Sequence, residues 1–276
     1  MPDLLTVRQA LAQAGLAPVD ARALLAHALK RDRAWLIAHE TDALARGELE
    51  RFFALTRRRR DGEPVAYLTG EREFWGLTLA VDRSVLIPRP ETETLVECAL
   101  RVLPRERPAR VLDLGTGTGA IAIALAVERP QAQIVATDAS PAAIAIAREN
   151  AARMKLERVR VIQSSWYEAL PGADARFDLI ASNPPYVALG DPHLSEGDLR
   201  FEPRDALCAG RDGLDALRII VAGARERLVP HGHLVVEHGY DQAEAVRELI
   251  AAAGLRFVES ARDLAGIPRV AVGRAP

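Results

Sequence analysis

The sequence predicts an α/β protein: a doubly wound, mostly parallel sheet of seven strands, preceded by a small helical domain and a β-hairpin linker. Three observations carry this expectation. From Arg110 onward, short apolar strands alternate with helical stretches, the pattern of a parallel sheet covered on both faces. Before residue 70, apolar residues recur at helical spacing and no strand-like alternation occurs. A glycine-rich turn, Gly115 to Gly119, directly follows the first apolar strand, where open α/β sheets bind ligands. At 276 residues the chain has room for one large domain and a smaller one. The expected division is a helical domain over 1–70, a hairpin linker over 71–90 and a large domain over 91–276.

In the first segment Leu24, Leu25, Ala28 and Leu29 share one helical face, and Leu44, Leu49, Phe52, Phe53 and Leu55 mark a second helix. That helix ends in Arg57-Arg58-Arg59-Arg60 before Asp61-Gly62. Cations in a last turn complement the helix dipole, so a solvated helix end is expected in preference to a docking patch. Phe74 to Asp82 alternates with β-forming residues and predicts a short hairpin. In Ile87-Pro88-Arg89-Pro90-Glu91-Thr92-Glu93, proline on both sides holds Arg89 extended, and Pro90 suits the start of a helix over about 90–103. Strands are then expected at Val111–Leu114, Ile134–Thr137, Val159–Ile162, Phe177–Ser182 and His233–Glu237, with two short ones at the C-terminal end. Helices are expected at Ala120–Glu128, Ala142–Met154, near Leu214–Leu228 and near Gln242–Ala253.

Composition removes several function classes. Hydrophobic residues at 49% and charged residues at 27% are an ordinary globular mix. A net charge of −2 argues against a whole-protein basic footprint for duplex nucleic acid. Cys98 and Cys208 are the two cysteines, too few for a disulfide framework or a cysteine-rich zinc site. His231, His233 and His238 lack a usual metal spacing, so no metal is expected. The longest uncharged stretch, Leu114 to Val127, is shorter and richer in glycine than a membrane span. Met1-Pro2-Asp3-Leu4-Leu5 lacks the basic flank and apolar run of a leader peptide, so a cytoplasmic location is expected.

The turn Asp113-Leu114-Gly115-Thr116-Gly117-Thr118-Gly119 suits close approach of a ligand to the backbone. Asp138 ends the next strand, 23 positions after Gly115, where a carboxylate can accept hydrogen bonds from two ribose hydroxyls; capping the following helix is the alternative. Together these predict nucleoside binding, with NAD and S-adenosylmethionine both open. Trp166, after the third strand, either flanks an adenine or serves as a core aromatic.

Asn183-Pro184-Pro185-Tyr186 follows the strand Phe177–Ser182 and belongs on the same rim as Gly115. Each proline forces the residue before it into an extended conformation, giving a stiff corner that presents the Asn183 side-chain oxygen and the Pro184 carbonyl as two fixed acceptors. Two such acceptors suit a planar NH2 group. Gripping both hydrogens lets an otherwise delocalised nitrogen turn its lone pair toward a sulfonium methyl. Tyr186 is placed to stack on the substrate's planar group. Asn183, Pro184 and Tyr186 are therefore the expected catalytic residues, and Asn183 to Tyr186 the expected substrate-binding segment.

On these residues the chain resembles class I S-adenosylmethionine-dependent methyltransferases, which have a Rossmann-like sheet. More narrowly it resembles the peptide chain release factor glutamine methyltransferases. The narrower resemblance rests on Phe74-Trp-Gly76, Ile87 to Glu93, Glu202-Pro-Arg-Asp-Ala-Leu207, Gly213-Leu-Asp215, Gly239-Tyr-Asp-Gln242 and Asp263-Leu-Ala-Gly266. It implies methyl transfer to the glutamine of the Gly-Gly-Gln loop of class 1 release factors, docked with help from the helical N-terminal domain. It implies cofactor contacts from Gly115, Thr116, Gly117, Thr118, Gly119, Asp138, Trp166 and Asn183. His238 departs from the family, which usually carries an aliphatic residue there.

The rival reactions are glutamine methylation of a ribosomal protein and methylation of an adenine amino group, whose NH2 is also planar. Net charge and the lack of an obvious target-recognition insertion weigh against nucleic acid as the substrate. A nicotinamide dehydrogenase accounts for Gly115 and Asp138 but leaves Asn183–Tyr186 unexplained, and an intact site disfavours a non-catalytic binding protein.

Overall fold

A computed structural model describes residues 5–170 and 176–276. Met1 to Leu4, part of the segment read for a leader peptide, lie outside the described residues. The chain divides into two compact units, Met1–Glu71 with His193–Phe201, and Arg72–Pro192 with Glu202–Pro276.

The first unit is helical: α1 (Val7–Gln13), α2 (Pro18–Leu29), α3 (Arg33–Ala38), α4 (Arg46–Arg60) and α5 (Val65–Thr69). Thr6 and Gln9 form a reciprocal capping box at the start of α1, and Pro18 occupies the first turn of α2. Val7, Leu24, Leu25, Leu36 and Phe52 close one apolar core. The arginine run at the end of α4 is more than a solvated helix end. Arg58 pairs with Glu63 at 2.7 Å, Arg59 bridges Asp20 at 2.8 Å and Asp198 at 3.0 Å, and Arg60 donates to the Ala14 carbonyl at the end of α1. These arginines bond within their own unit, though Arg57, Arg58 and Arg60 all remain exposed. Through Asp198 the segment His193–Phe201 groups with the helices, a return of the chain that the sequence reading left inside residues 91–276.

The second unit opens with a hairpin, β1 (Glu71–Phe74) and β2 (Leu77–Ala80). Trp75 and Gly76 make its turn with φ of +54° and +67°, the mirror-image turn whose twist matches paired strands. Phe74 and Leu79 pack into the core of this unit, and Asn150 hydrogen-bonds both the N–H and the carbonyl of Ala80. A short 3-10 turn over Pro90–Thr92 leads into α6 (Glu93–Val102).

The remaining elements alternate as expected: β3 (Arg110–Leu114), α7 (Ala120–Glu128), β4 (Gln133–Asp138), α8 (Pro141–Arg153), β5 (Val159–Gln163), β6 (Phe177–Ser182), α9 (Asp215–Arg227), β7 (Leu228–Glu237), α10 (Ala243–Ala252), β8 (Arg256–Arg262) and β9 (Pro268–Arg274). The seven strands lie in the order β5-β4-β3-β6-β7-β9-β8, with β3 to β7 parallel and β9 antiparallel to both neighbours. The sheet is thus doubly wound and mostly parallel. Alternate strand residues feed two cores: Val111, Leu179, Val235 and Val272 face one way, Leu112, Ile180, Leu234 and Ala271 the other. From β3 the chain winds outward to β5 and then returns to lay β6 on the other side of β3. That reversal opens a crevice at the carboxyl ends of β3 and β6, where such sheets bind ligands.

Three strands at the C-terminal end run longer than expected. β7 begins at Leu228 rather than His233 because a register shift opposite Phe177/Leu179 absorbs the turn-like Pro230-His231-Gly232, His231 taking φ +64°. The last two strands run seven residues each and pair as one antiparallel ribbon.

Candidate active site

Leu114 and Ser182 are paired in register, so Gly115 and Asn183 leave the sheet side by side. The Ser182 hydroxyl donates to the Leu114 carbonyl at 2.6 Å and locks the two strand ends together. A cavity of about 520 Å³ opens there, within the usual range of roughly 300–1,000 Å³ for small-molecule sites.

Gly115, Gly117 and Gly119 have φ of +69°, +53° and +83°, a region that L side chains rarely adopt. Their roles differ. A Cβ on Gly117 would meet nothing within 4 Å, so this residue leaves open space on the cavity wall. A Cβ on Gly119 would come within 3.1 Å of Ile123 Cδ1 and press on Ala147; this glycine lets α7 and α8 pack and does not line the cavity. Gly115, Thr116 and Thr118 do line it. Below them Asp113 is fully buried, its Oδ2 accepting from the Thr116 hydroxyl and the Ala122 N–H. Burial pushes its carboxyl up to about 7, against the pull of those hydrogen bonds.

Asp138 lines the cavity and holds the glycine turn: Oδ2 accepts from Gly117 N–H and Oδ1 from Ser140 N–H, each at 2.9 Å. Ser140, not Asp138, caps α8. A carboxylate has about four acceptor positions, so both oxygens keep capacity toward the cavity. Trp166 adopts φ +47° and sets its ring against Gly115, 3.5 Å from where a Cβ would stand. The Ser164 hydroxyl donates to the Trp166 carbonyl and accepts from Ala169 N–H, which pins this loop. Open backbone at Gly117, an acceptor at Asp138 and an aromatic wall at Trp166 fit a nucleoside-bearing ligand.

Asn183 donates from Nδ2 to Thr92 Oγ1 at 2.9 Å, while its Oδ1 is buried with no hydrogen-bond partner among the described residues. Asn183 and Pro185 line the cavity; Pro184 is buried behind them. Tyr186 donates its hydroxyl to Glu237 Oε1 at 3.1 Å, and its carbonyl accepts from Gln242 Nε2 at 2.9 Å. Burial raises the Tyr186 hydroxyl well above the ordinary phenol value, so it stays protonated. Glu237 ends β7 fully buried, its Oε2 without a hydrogen-bond partner among the described residues, and desolvation pushes its carboxyl up to about 7 against the Tyr186 hydrogen bond and the charge of Arg269. Gly213 must be glycine: a Cβ there would stand 2.2 Å from the Tyr186 carbonyl oxygen. Arg89 spans both oxygens of buried Glu202 at 2.7 Å, joining the proline-rich segment before α6 to the loop whose Pro203, Asp205 and Ala206 line the cavity.

Sequence reasoning passed over Thr92, Glu237 and Gln242 as parts of the site. Thr92 and Gln242 stand within the motifs noted above, and Glu237 is an isolated acid ending an apolar strand, a signal available in the sequence. Among the described residues no group of three or more His, Cys, Asp or Glu side chains could hold a metal ion, and no helix is long and apolar enough to cross a membrane. His238 lies buried with Nδ1 on the Gly239 carbonyl and Nε2 unpartnered, and burial lowers its pKa.

Comparison with known proteins places these features in context. Residues 92–195 match the Methyltransferase small domain model, and residues 4–70 match the PrmC N-terminal domain model. The chain is 56% identical over 258 residues to the release factor glutamine methyltransferase of Xylella fastidiosa, covering 94% of this chain and 93% of that one. It is 54% identical over 267 residues to that of Bordetella pertussis, covering 97% and 98%. A methyltransferase from Pyrococcus furiosus shares the fold, with a TM-score of 0.56 at 16% identity over 79% of this chain and 96% of that one.

Proposed function

We infer the reaction from one premise: the chain belongs to the release factor glutamine methyltransferase family. It is an S-adenosylmethionine-dependent protein-glutamine N-methyltransferase whose substrates are peptide chain release factors. The glutamine is that of the Gly-Gly-Gln motif of class 1 factors. The observation that carries this reading is the Asn183 carboxamide, whose donor end is fixed on Thr92 and whose buried acceptor end has no partner among the described residues. A lone acceptor on the wall of a nucleoside-sized cavity calls for an N–H from a substrate.

Gly115, Thr116, Gly117 and Thr118 give the cofactor its backbone floor, Asp138 accepts from its ribose hydroxyls, and Trp166 flanks its adenine. Gly119 serves indirectly, by seating the helix that follows. When bound, S-adenosylmethionine supplies an electrophilic methyl group on a sulfonium sulfur. The protein's task is to make an amide nitrogen nucleophilic. That nitrogen is planar because its lone pair is delocalised into the carbonyl. Asn183 Oδ1 accepts one of its hydrogens and the Pro184 carbonyl the other. Both oxygens sit on a proline-stiffened corner, so the grip costs little reorganisation and leaves the lone pair aimed into the cavity. Pro185 shapes the wall and the Tyr186 ring covers the carboxamide plane. As the N–C bond would form, the sulfur–methyl bond would break with its electron pair left on a neutral thioether sulfur, and the nitrogen, now acidic, would lose its extra proton to water without a protein base.

The helical unit docks the release factor, which the match of residues 4–70 to the PrmC N-terminal domain supports. Nucleic acid is disfavoured as substrate by the net charge of −2 and by the engagement of Arg58, Arg59 and Arg60 within their own unit. Two free cysteines and a translation factor as substrate suit the cytoplasm. The test incubates the protein with methyl-labelled S-adenosylmethionine and, separately, a class 1 release factor, ribosomal proteins and DNA oligonucleotides. Label on the Gly-Gly-Gln glutamine is expected; label in ribosomal protein or nucleic acid alone would overturn the reading.

A further inference from the structure

S-adenosylmethionine and its spent form, S-adenosylhomocysteine, differ by one methyl group and one positive charge, because loss of the methyl leaves the sulfur a neutral thioether. An enzyme that turns over must take up the first and release the second, and fixed charge on the cavity wall can tell them apart. Among the described residues that line the cavity, Asp138 and Asp205 carry the only ionisable side chains; no lysine, arginine or histidine offsets them. Asp138 already holds the Gly117 and Ser140 N–H groups. Asp205 makes no hydrogen bond or ion pair among the described residues.

Asp205 belongs to the Asn183 end of the cavity. Asn183 Nδ2 donates to Thr92, the Thr92 N–H donates to the Arg89 carbonyl at 3.1 Å, and the Arg89 guanidinium spans the carboxylate of Glu202. The loop that follows Glu202 brings Pro203, Asp205 and Ala206 to the wall. A methyl group delivered to a nitrogen held at Asn183 requires its sulfur at that same end, whereas Asp138 lies by the glycine turn and the start of α8. We propose that Asp205 is a specificity-determining residue that favours S-adenosylmethionine over S-adenosylhomocysteine: its unpaired carboxylate attracts the sulfonium charge, and that attraction ends when the methyl has left. This role rests on the methyltransferase reading of the cavity.

A structural role leaves this carboxylate unexplained. It sits in a 3-10 turn of three residues, Arg204–Ala206, too short for a backbone dipole that would need an acid, and it is exposed, so no core depends on it. Attraction between unit charges strengthens as bound ligand excludes water, and it acts over several ångströms without contact. The ammonium of the methionyl tail is common to both molecules and cancels from the ratio of their affinities.

The test measures Kd by calorimetry, with no glutamine substrate present, for S-adenosylmethionine, S-adenosylhomocysteine and sinefungin, which carries an ammonium group in place of the methylated sulfur. Asp205→Asn keeps the shape of the side chain and removes its charge. It is expected to lower the preference for S-adenosylmethionine over S-adenosylhomocysteine by about 3–10-fold, with affinity for S-adenosylhomocysteine little changed. Sinefungin should weaken together with S-adenosylmethionine. Asp205→Glu, which keeps the charge, should retain most of the preference. Added salt should erode the preference more in wild type than in Asp205→Asn. An unchanged ratio in Asp205→Asn overturns the proposal, and so does an equal loss for all three ligands, the result of a merely structural role. A raised KM for a Gly-Gly-Gln substrate at an unchanged ratio also overturns it and assigns the carboxylate to the incoming peptide. Wild type that binds none of the three would sink the functional reading and this proposal together, whereas normal binding with an unchanged ratio removes the role of Asp205 alone.

Discussion

At Asn183 the donor half of the side chain is spent on Thr92 and the acceptor half is left for the cavity. An interaction made chiefly as the substrate nitrogen leaves planarity acts on kcat more than on affinity. Asn183→Ala is therefore expected to lower kcat by about 100-fold or more while the calorimetric Kd for S-adenosylmethionine changes by less than about threefold. Asn183 and Asp138 were legible in the sequence because each follows directly on an apolar strand and so falls on the ligand rim. Thr92 and Glu237 were not, because the side chains they hydrogen-bond, Asn183 and Tyr186, lie 91 and 51 positions away and only the fold brings them close. Glu237 also yields a prediction about pH. Its carboxyl holds its proton to about pH 7 in the folded protein, against an ordinary value of 4.5. Between those values the unfolded chain has released a proton that the folded one keeps, so this group's contribution to stability is full below about pH 4.5 and is lost as pH rises through 7. Glu237→Gln removes that dependence. Its stability relative to wild type should rise between pH 5 and pH 7, by on the order of 1–3 kcal/mol, in denaturant melts at a series of pH values. Asp113, also raised, is common to both proteins and cancels from the difference.

Among the elements, those with a strong apolar period were legible almost to the residue: α7 at Ala120–Glu128 and β6 at Phe177–Ser182 agree with the sequence reading. The first half of β7 was not, because Pro230 and Gly232 read as a turn and a bulge carries no periodic signal. The stretch after Tyr186 holds three short 3-10 turns, at Pro192–Ser195, Leu199–Phe201 and Arg204–Ala206, and its order comes from ties that no local pattern reveals. Val187 N–H donates to the Leu207 carbonyl, Ala209 N–H returns to the Val187 carbonyl, and Gln242 reaches the Tyr186 carbonyl. Gly213 lies in the middle of these ties. A methyl group there would meet backbone, 2.2 Å from the Tyr186 carbonyl oxygen, and φ +75° is itself unfavourable for alanine. Gly213→Ala is expected to cost about 2–4 kcal/mol in thermal or denaturant unfolding and to reduce kcat, because the corner carrying Asn183 and Tyr186 must shift to admit it.

At the level of the whole molecule, the alternation from Arg110 onward was enough to expect a doubly wound sheet, but the path of the chain was not foreseen. Residues His193–Phe201 leave the second unit's sequence and group with the helices, held in part by Arg59, which bonds Asp20 of α2 and Asp198 at once. Four like charges in a row read as surface; the acids that engage Arg59 lie 39 and 139 positions away, beyond any local pattern. This arrangement allows the docking proposed for the helical unit to be tested apart from the chemistry. Arg59 is three-quarters shielded and makes two ion pairs, so Arg59→Ala should cost about 1–2 kcal/mol and loosen the segment around Asp198. Hydrogen exchange at residues 193–201 should accelerate, while the cavity residues and S-adenosylmethionine affinity are untouched. If the helical unit docks the release factor, kcat/KM for the intact factor should fall several-fold in Arg59→Ala, mainly through KM, because uniform binding energy is what has been removed. A short Gly-Gly-Gln peptide, too small to engage a docking unit, should be methylated as by wild type. Equal losses on factor and peptide would mean that the variant disturbs the catalytic unit itself, and no loss on either would remove the Arg59-held segment from docking.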